Sequence, residues 1–199
     1  MALSEKRLED LTARLGSDRI QRDAPESTLW GTSTGPVVFA ESEEEIQTVM
    51  RWAAETGVAI VPRGRGAYAG YGNRVNREFV ILSLERMSGV LEHSVGDLTV
   101  TVQAGIPLAA LQEYLSGQGQ RLPIDPPRPE LTTAGGAVVT GMTGPKRLKY
   151  GTVRDWVIGL RVVLADGRVI RTGGKVVKNV AGYDMNKLFV GSLGTLGII

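Results

Sequence analysis

Three glycine-rich stretches hold the residues whose type and spacing suit chemistry. The first is PRGRGAYAGYGN, Pro62 to Asn73, which places Gly64, Gly66, Gly70 and Gly72 directly after an apolar run and beside Arg63 and Arg65. Glycine reaches backbone conformations closed to other residues, so such a loop can gather main-chain N–H groups into a nest for phosphate oxygens. A plain surface turn is the competing reading. The loop ends in no GK[ST] and lacks the G-x-G-x-x-G spacing, so neither a nucleoside-triphosphate P-loop nor a standard dinucleotide turn is supported. The second stretch, TTAGGAVVTG, offers hydroxyls at Thr132 and Thr133 and close backbone approach at Gly135 and Gly136. The third is GSLGTLGI near the end. With no Cys there is no thiolate nucleophile, thiolate metal site or disulfide, and with His93 as the only histidine a multi-His metal site is excluded.

The elements that must position these stretches are legible in part. VVFA after Pro36 reads as a buried strand, and SEEE then gives a capping box from Ser42 to Glu45. The helix that follows aligns Ile46, Val49, Met50 and Ala53 and stops at Gly57; VAIVP is a second strand. This strand–helix–strand unit implies parallel strands with a ligand site at the end of the second, where the first glycine loop begins. Strands are also expected at Phe79–Leu84 and Thr99–Ala104, a helix from Pro107 at N1 to Gly117, and a hairpin over Val157–Thr172 turning at Asp166-Gly167. A short helix is expected near Lys187. His93 is expected in a turn between two strands, and Thr140 also has a plain reading as a strand residue.

Charge is uneven. Residues 1–60 carry 6 basic and 11 acidic side chains, whereas residues 61–199 carry 17 and 10, so the glycine-rich part is the basic part. That suits an anionic ligand approached by backbone; solvated surface charge is the other reading. The basic stripe with interleaved aromatics of a nucleic-acid surface is missing, and no nucleic-acid partner is expected. The apolar runs are too short for a spanning helix and the N-terminus lacks a signal-peptide core, so a cytoplasmic location, or one peripheral to the inner face of a membrane, is expected.

Taken together, the motifs resemble the FAD-binding domain of the vanillyl-alcohol oxidase and p-cresol methylhydroxylase (PCMH) type. PRGRGAYAG stands where that family has its pyrophosphate loop, LPIDPP where it has an extended segment and TTAGG where it has T-x-G-G. YGTVRD, LRVVLADG, GGKVVKNVAGYD and GSLGTLGI follow in the family's order. The resemblance covers residues 34–199, and the stretch GPKRLKYG to AGYD is similar to the FAD-binding subunit of glycolate oxidase.

The resemblance implies an α+β fold of two α/β lobes, about 34–95 and 96–199, with FAD between them, preceded by an N-terminal helix and linker over 1–33. Pro62, Arg63, Gly64, Arg65, Gly66, Ala67, Tyr68, Ala69 and Gly70 are then expected to hold the pyrophosphate. Ile124, Asp125 and Pro126 line the cofactor path; Asp125 has the plainer reading of a turn cap. Thr132, Thr133, Gly135, Gly136 and Thr140 contact flavin or ribityl, and Gly197 with Ile198 offers backbone to a ring. Covalent members attach flavin through a His after the loop glycines or through a Cys; here that loop position is Ala67, so FAD is expected to be non-covalent.

The implied activity is that of an FAD-dependent oxidoreductase, the FAD-binding subunit of a glycolate (2-hydroxy acid) oxidase or dehydrogenase complex. Its partners would be a larger homologous flavin subunit and an iron–sulfur subunit that receives the electrons. No metal site is expected, and no catalytic residue is assigned; Arg63, Arg128, Lys146, Arg147 and Arg154 are candidate carboxylate clamps or surface charges. In the family a cap domain follows the flavin domain, and the resemblance implies that these 199 residues lack it. That absence, with Arg65 in place of a loop glycine, motivates a second reading, a non-catalytic assembly subunit or a truncated fragment with weak or no FAD binding.

Overall fold

In the computed structural model, residues 3–22, 28–29, 33–73, 75–175 and 183–199 are described. Helix α1 (Glu5–Leu15) buries Leu8 and Leu11, which its helical spacing brings to one face. Strands β1 (Ile20–Gln21), β2 (Thr28–Leu29), β3 (Ser33–Thr34) and β4 (Val37–Phe39) follow, and then helix α2 (Glu43–Thr56). Ser42 caps α2 by accepting the Glu45 N–H at 3.2 Å, while the Glu45 carboxylate accepts the Glu41 N–H at 2.7 Å, one residue earlier than a full capping box requires. Gly57 ends the helix in the left-handed region at φ 72°. The buried face is the expected one, joined by Trp52, whose indole N–H donates to Asp10 of α1 at 2.9 Å.

Strands β5 (Ala59–Arg63) and β6 (Phe79–Ser83) complete a sheet of order β1-β4-β6-β5, in which β4 and β5 both run parallel to the central β6. All five residues of β6 are buried, as an unbroken apolar run demands of a strand covered on both faces. Alternation sends Val38, Val80 and Leu82 to the core under α2, and Val37, Phe39, Phe79 and Ile81 to the opposite one. The N-terminal segment is tied into this lobe, since α1 shares the α2 core and β1 pairs antiparallel with β4.

The antiparallel pair β7 (Val90–Ser94) and β8 (Thr99–Val102) straddles the expected boundary near residue 95 and packs through Val90, Val100 and Val102 on the second core, so both strands belong to the second lobe; helices α3 (Leu108–Ser116), α4 (Ala134–Thr140), α5 (Arg147–Tyr150) and α6 (Val153–Trp156) follow. The lobe closes with the hairpin β9 (Gly159–Val163) and β10 (Val169–Gly173) and the short helix α7 (Asn186–Phe189). Three local readings change. His93 lies within β7, bonded to Gln120 at 3.0 Å, rather than in a turn. Pro107 is the N-cap of α3 in extended conformation, and the helix starts at Leu108. Thr140 ends a helix instead of lying in a strand: Thr133 caps α4 by accepting the Gly136 N–H at 3.1 Å, and tertiary contacts override the weak helix propensity of Gly and Val. Among the described residues, no helix is long and apolar enough to cross a membrane.

The two lobes meet backbone to backbone. The Gly105 N–H donates to Met87 O at 2.9 Å, and inside the second lobe the Gly135 N–H seats α4 on the same segment by donating to Ala104 O at 2.8 Å. A Cβ on Gly105 would stand 1.8 Å from Leu84 O, which leaves no room for a side chain. The joint is reinforced farther out, where Gln47 of α2 donates to Gly167 O at 2.8 Å and Arg161 pairs with Glu43. Gly105→Ala is therefore expected to lower stability by about 1–3 kcal/mol, the range for overpacking, seen as a reduced urea midpoint at unchanged slope.

Candidate functional site

Strand β5 delivers Arg63 to the rim of a cleft of about 500 Å³, and the glycine loop begins there. Three approaches shape the loop. Gly64 lies against Thr133, where a Cβ would come within 2.4 Å of the hydroxyl oxygen. Gly66 turns at φ 78° under the Arg63 guanidinium. Tyr68 brings its hydroxyl to within 3.3 Å of the Thr132 hydroxyl and its ring to 5.3 Å from that of Tyr71. Arg65 is exposed and is not among the residues with positive φ, so the loop accepts Arg at this position without strain. That removes one of the two motives for the second reading.

Facing the loop is α4, whose Gly135, Gly136, Val139 and Thr140 line the cleft with the cap residue Thr133. The Thr140 hydroxyl donates within its own helix to Gly136 O at 2.7 Å. The third wall is the C-terminal turn, from Leu193 to Ile199. It is anchored on α4 by the Leu193 N–H to Val139 O at 2.7 Å, and Gly194 passes so close to Pro62 that a Cβ would meet the ring at 2.6 Å. Ile198 exchanges two backbone bonds with Val163, at 2.8 and 2.9 Å. The described lining carries Arg63 and Arg65 as its charged side chains and no Asp or Glu, so its side chains favour an anion.

The structure thus gathers Pro62 to Ala69, Thr133, Gly135, Gly136, Thr140, Gly197 and Ile198 around one cleft. Gly70 lies just outside it, and Thr132 sits behind it, fully buried and donating to Pro127 O at 2.9 Å. Ile124, Asp125 and Pro126 do not line it. Ile124 lines an adjoining, larger groove of about 1080 Å³ between β8 and β9 that shares Leu84, Ala104, Gly135, Ile198 and Ile199 with the cleft, and the Asp125 carboxylate accepts the Lys146 N–H at 3.2 Å, capping the basic turn. Lining residues that sequence reasoning missed include Tyr71, Asn73, Val75, Leu193, Gly194 and Thr195. Gly194 and Thr195 lay within a motif already singled out; Val75 had no local signal. The GGKVVKNVAGYD motif falls mostly outside the described residues. Among those described, no group of His, Asp or Glu has the geometry of a metal site.

A parallel sheet whose second strand feeds a glycine loop, closed by a second lobe across a cleft with cationic and glycine-rich walls, defines a domain built for a phosphorylated cofactor. Residues 35–173 match the model of the FAD-binding domain family, and the chain belongs to that family. It is 41% identical over 163 residues to the glycolate oxidase subunit GlcD of Bacillus subtilis, covering 82% of this chain and 35% of that protein. It is 39% identical over 171 residues to a D-2-hydroxyglutarate dehydrogenase of Xanthomonas citri pv. viticola, covering 85% and 36%. With the glycolate oxidase subunit GlcE of Escherichia coli it shares 38% over 141 residues, covering 70% and 40%. The chain therefore spans little more than a third of the length of these relatives, which are oxidoreductases by name. Among solved structures, an alkyldihydroxyacetonephosphate synthase superposes with a TM-score of 0.82 at 26% identity, over 99% of this chain and 42% of that one. The glucose dehydrogenase Phl p 4.0202, at 19% identity and a TM-score of 0.77 over 98% and 42%, shares the fold.

The cleft fits FAD by its own geometry: its volume lies in the range of cofactor sites, and side chains at Gly64 or Gly135 would fill the space where its walls meet. Gly64→Ala is expected to destabilise by about 1–3 kcal/mol and Thr133→Ala by about 1 kcal/mol through the lost cap. Because the alanine at 133 vacates the space that a Cβ at 64 needs, the double variant should be more stable than the sum predicts, by about 1 kcal/mol in a urea double-mutant cycle.

Proposed function

We propose that this chain holds FAD non-covalently in the cleft between its lobes and is the flavin-carrying part of an oxidoreductase acting on a small 2-hydroxy acid such as glycolate. The observation that carries the reading is the convergence of the β5 glycine loop, α4 and the C-terminal turn on one cleft whose described lining has arginines but no Asp or Glu, in a chain of the FAD-binding domain family. In this reading the N–H groups and arginines of Pro62–Ala69 hold the pyrophosphate, while Thr133, Gly135, Gly136 and Thr140 face the rest of the cofactor. Gly197 and Ile198 supply backbone at the opposite wall. The cofactor, when bound, supplies the two-electron oxidising chemistry. The chain's residues bind and orient it, and the apolar wall of Ile60, Leu84, Val139 and Ile198 keeps water from it.

Non-covalent attachment is supported by the residue inventory of the site. The chain has no Cys, the position after the loop glycines is Ala67, and His93 is not among the residues lining the cleft. The relatives named as glycolate oxidase subunits GlcD and GlcE favour a place in a complex of that kind. We place the chain beside a larger homologous flavin subunit, with electrons leaving toward an iron–sulfur subunit, since a chain without Cys does not ligate a cluster in the usual way.

The test is the visible absorption spectrum of the purified chain before and after denaturation and after incubation with FAD. A flavin band that is released into the soluble fraction on denaturation is the expected result, and bleaching by glycolate, D-lactate or D-2-hydroxyglutarate in the presence of the partner subunits would then identify the acid. Failure to take up flavin from excess FAD would overturn the reading in favour of an assembly subunit.

A further inference from the structure

We propose that Arg128 is a positioning residue for the glycine loop, acting on the cleft through the carbonyl of Ala67 without touching the ligand. The inference deepens the reading of the cleft as an FAD site and rests on that reading for its ligand.

Arg128 is a local conflict. Its backbone lies at φ 51°, in the left-handed region where a side chain is unfavourable and where glycine would sit without cost. The turn it opens closes on itself: the carbonyl of Arg128 accepts the N–H groups of Leu131 at 3.0 Å and Thr132 at 2.8 Å, and the Thr132 hydroxyl donates to Pro127 O. None of these bonds uses the arginine side chain. A strained residue of this kind persists where the surroundings over-determine it. What the side chain does is reach across 61 residues of sequence, where its guanidinium donates to the carbonyl of Ala67 in the middle of the glycine loop.

The chemistry of that carbonyl explains the arrangement. A loop that holds an anion with its N–H groups must keep its carbonyl oxygens turned away, because each presents partial negative charge to the ligand. Ala67 is buried and lines the cleft, whereas Arg128 does not line it. The guanidinium therefore engages the carbonyl from outside the cleft and fixes the orientation of the peptide. The adjacent Tyr68–Thr132 contact and the Gly64–Thr133 approach tie the same two segments together on either side. Among the described residues no carboxylate forms an ion pair with Arg128, so the carbonyl is not competing with an acid for it.

Three full-chain variants decide the matter: Arg128→Gly, Arg128→Ala and Arg128→Lys. Loss of one charge-assisted bond predicts that Arg128→Gly weakens FAD binding by about ten-fold or more, while its melting temperature without FAD is unchanged or higher because the left-handed strain is gone. Arg128→Lys, which keeps a cationic donor, should recover most of that affinity. Amide hydrogen exchange of the apo-protein should accelerate in residues 64–71 for Arg128→Gly and Arg128→Ala and remain at the wild-type rate in α2 and β6. The salt dependence of FAD binding should keep the wild-type slope, since Arg128 makes no contact with the phosphates.

FAD affinity and loop exchange both at wild-type values in Arg128→Gly would overturn the proposal, as would losses that merely follow a fall in melting temperature. A flattened salt slope would overturn it too, making Arg128 a direct phosphate ligand. If the wild-type chain takes up no FAD, the cofactor reading fails, and the exchange measurement still decides whether Arg128 holds the loop.

Discussion

The cleft exists because two chain segments approach more closely than any side chain would allow. Gly64 leans on Thr133, Gly135 on Ala104, and Gly105 on the carbonyl of Leu84, each where a Cβ would overlap its neighbour. The first and third set the distance between the lobes, the second seats α4 within its own lobe, and together they place the loop after β5 relative to α4. The Gly105 N–H to Met87 O bond ties the joint, and the Gly135 N–H to Ala104 O bond holds α4 beside it. The Gly105 contact with the Leu84 carbonyl is less adaptable than side-chain packing, because neither partner has a rotamer to change.

The charge asymmetry of the sequence resolves along the same line. Acidic residues of the first sixty are spent on local structure: Arg19 alone pairs with Glu41 at 2.8 Å and Glu45 at 2.9 Å, and Arg161 of the second lobe reaches back to Glu43. These pairs are at least partly exposed and individually weak. Their effect is positional, since they keep the carboxylates on the α2 side of the sheet and away from the lining of the cleft, where Arg63 and Arg65 remain.

Much of this was legible in the sequence, for identifiable reasons. The β4–α2–β5 unit announced itself through the Ser42 cap, the spacing of Ile46, Val49, Met50 and Ala53, and the stop at Gly57, all of them local signals. The glycine loop was legible because glycines clustered directly after a buried strand. Helix α4 was not: TTAGGAVVTG has two glycines and two valines in seven helical residues, and only its Thr133 cap and its packing between β8 and the C-terminal turn make it helical. The cofactor path through Ile124 to Pro126 rested on resemblance alone, and in the fold Asp125 also caps the basic turn at Lys146. Val75 reaches the cleft through long-range closure, which leaves no periodic trace.

The last two residues take different sides. Ile198 belongs to the core of the first lobe, Ile199 packs on that of the second, and the same dipeptide bonds to Val163 while walling both the cleft and the adjoining groove. The two apolar clusters are thus joined by this dipeptide in addition to the bonds at the Gly105 joint. Local opening at Ile198 and Ile199 would therefore loosen both apolar clusters and a wall of the cleft in the same event.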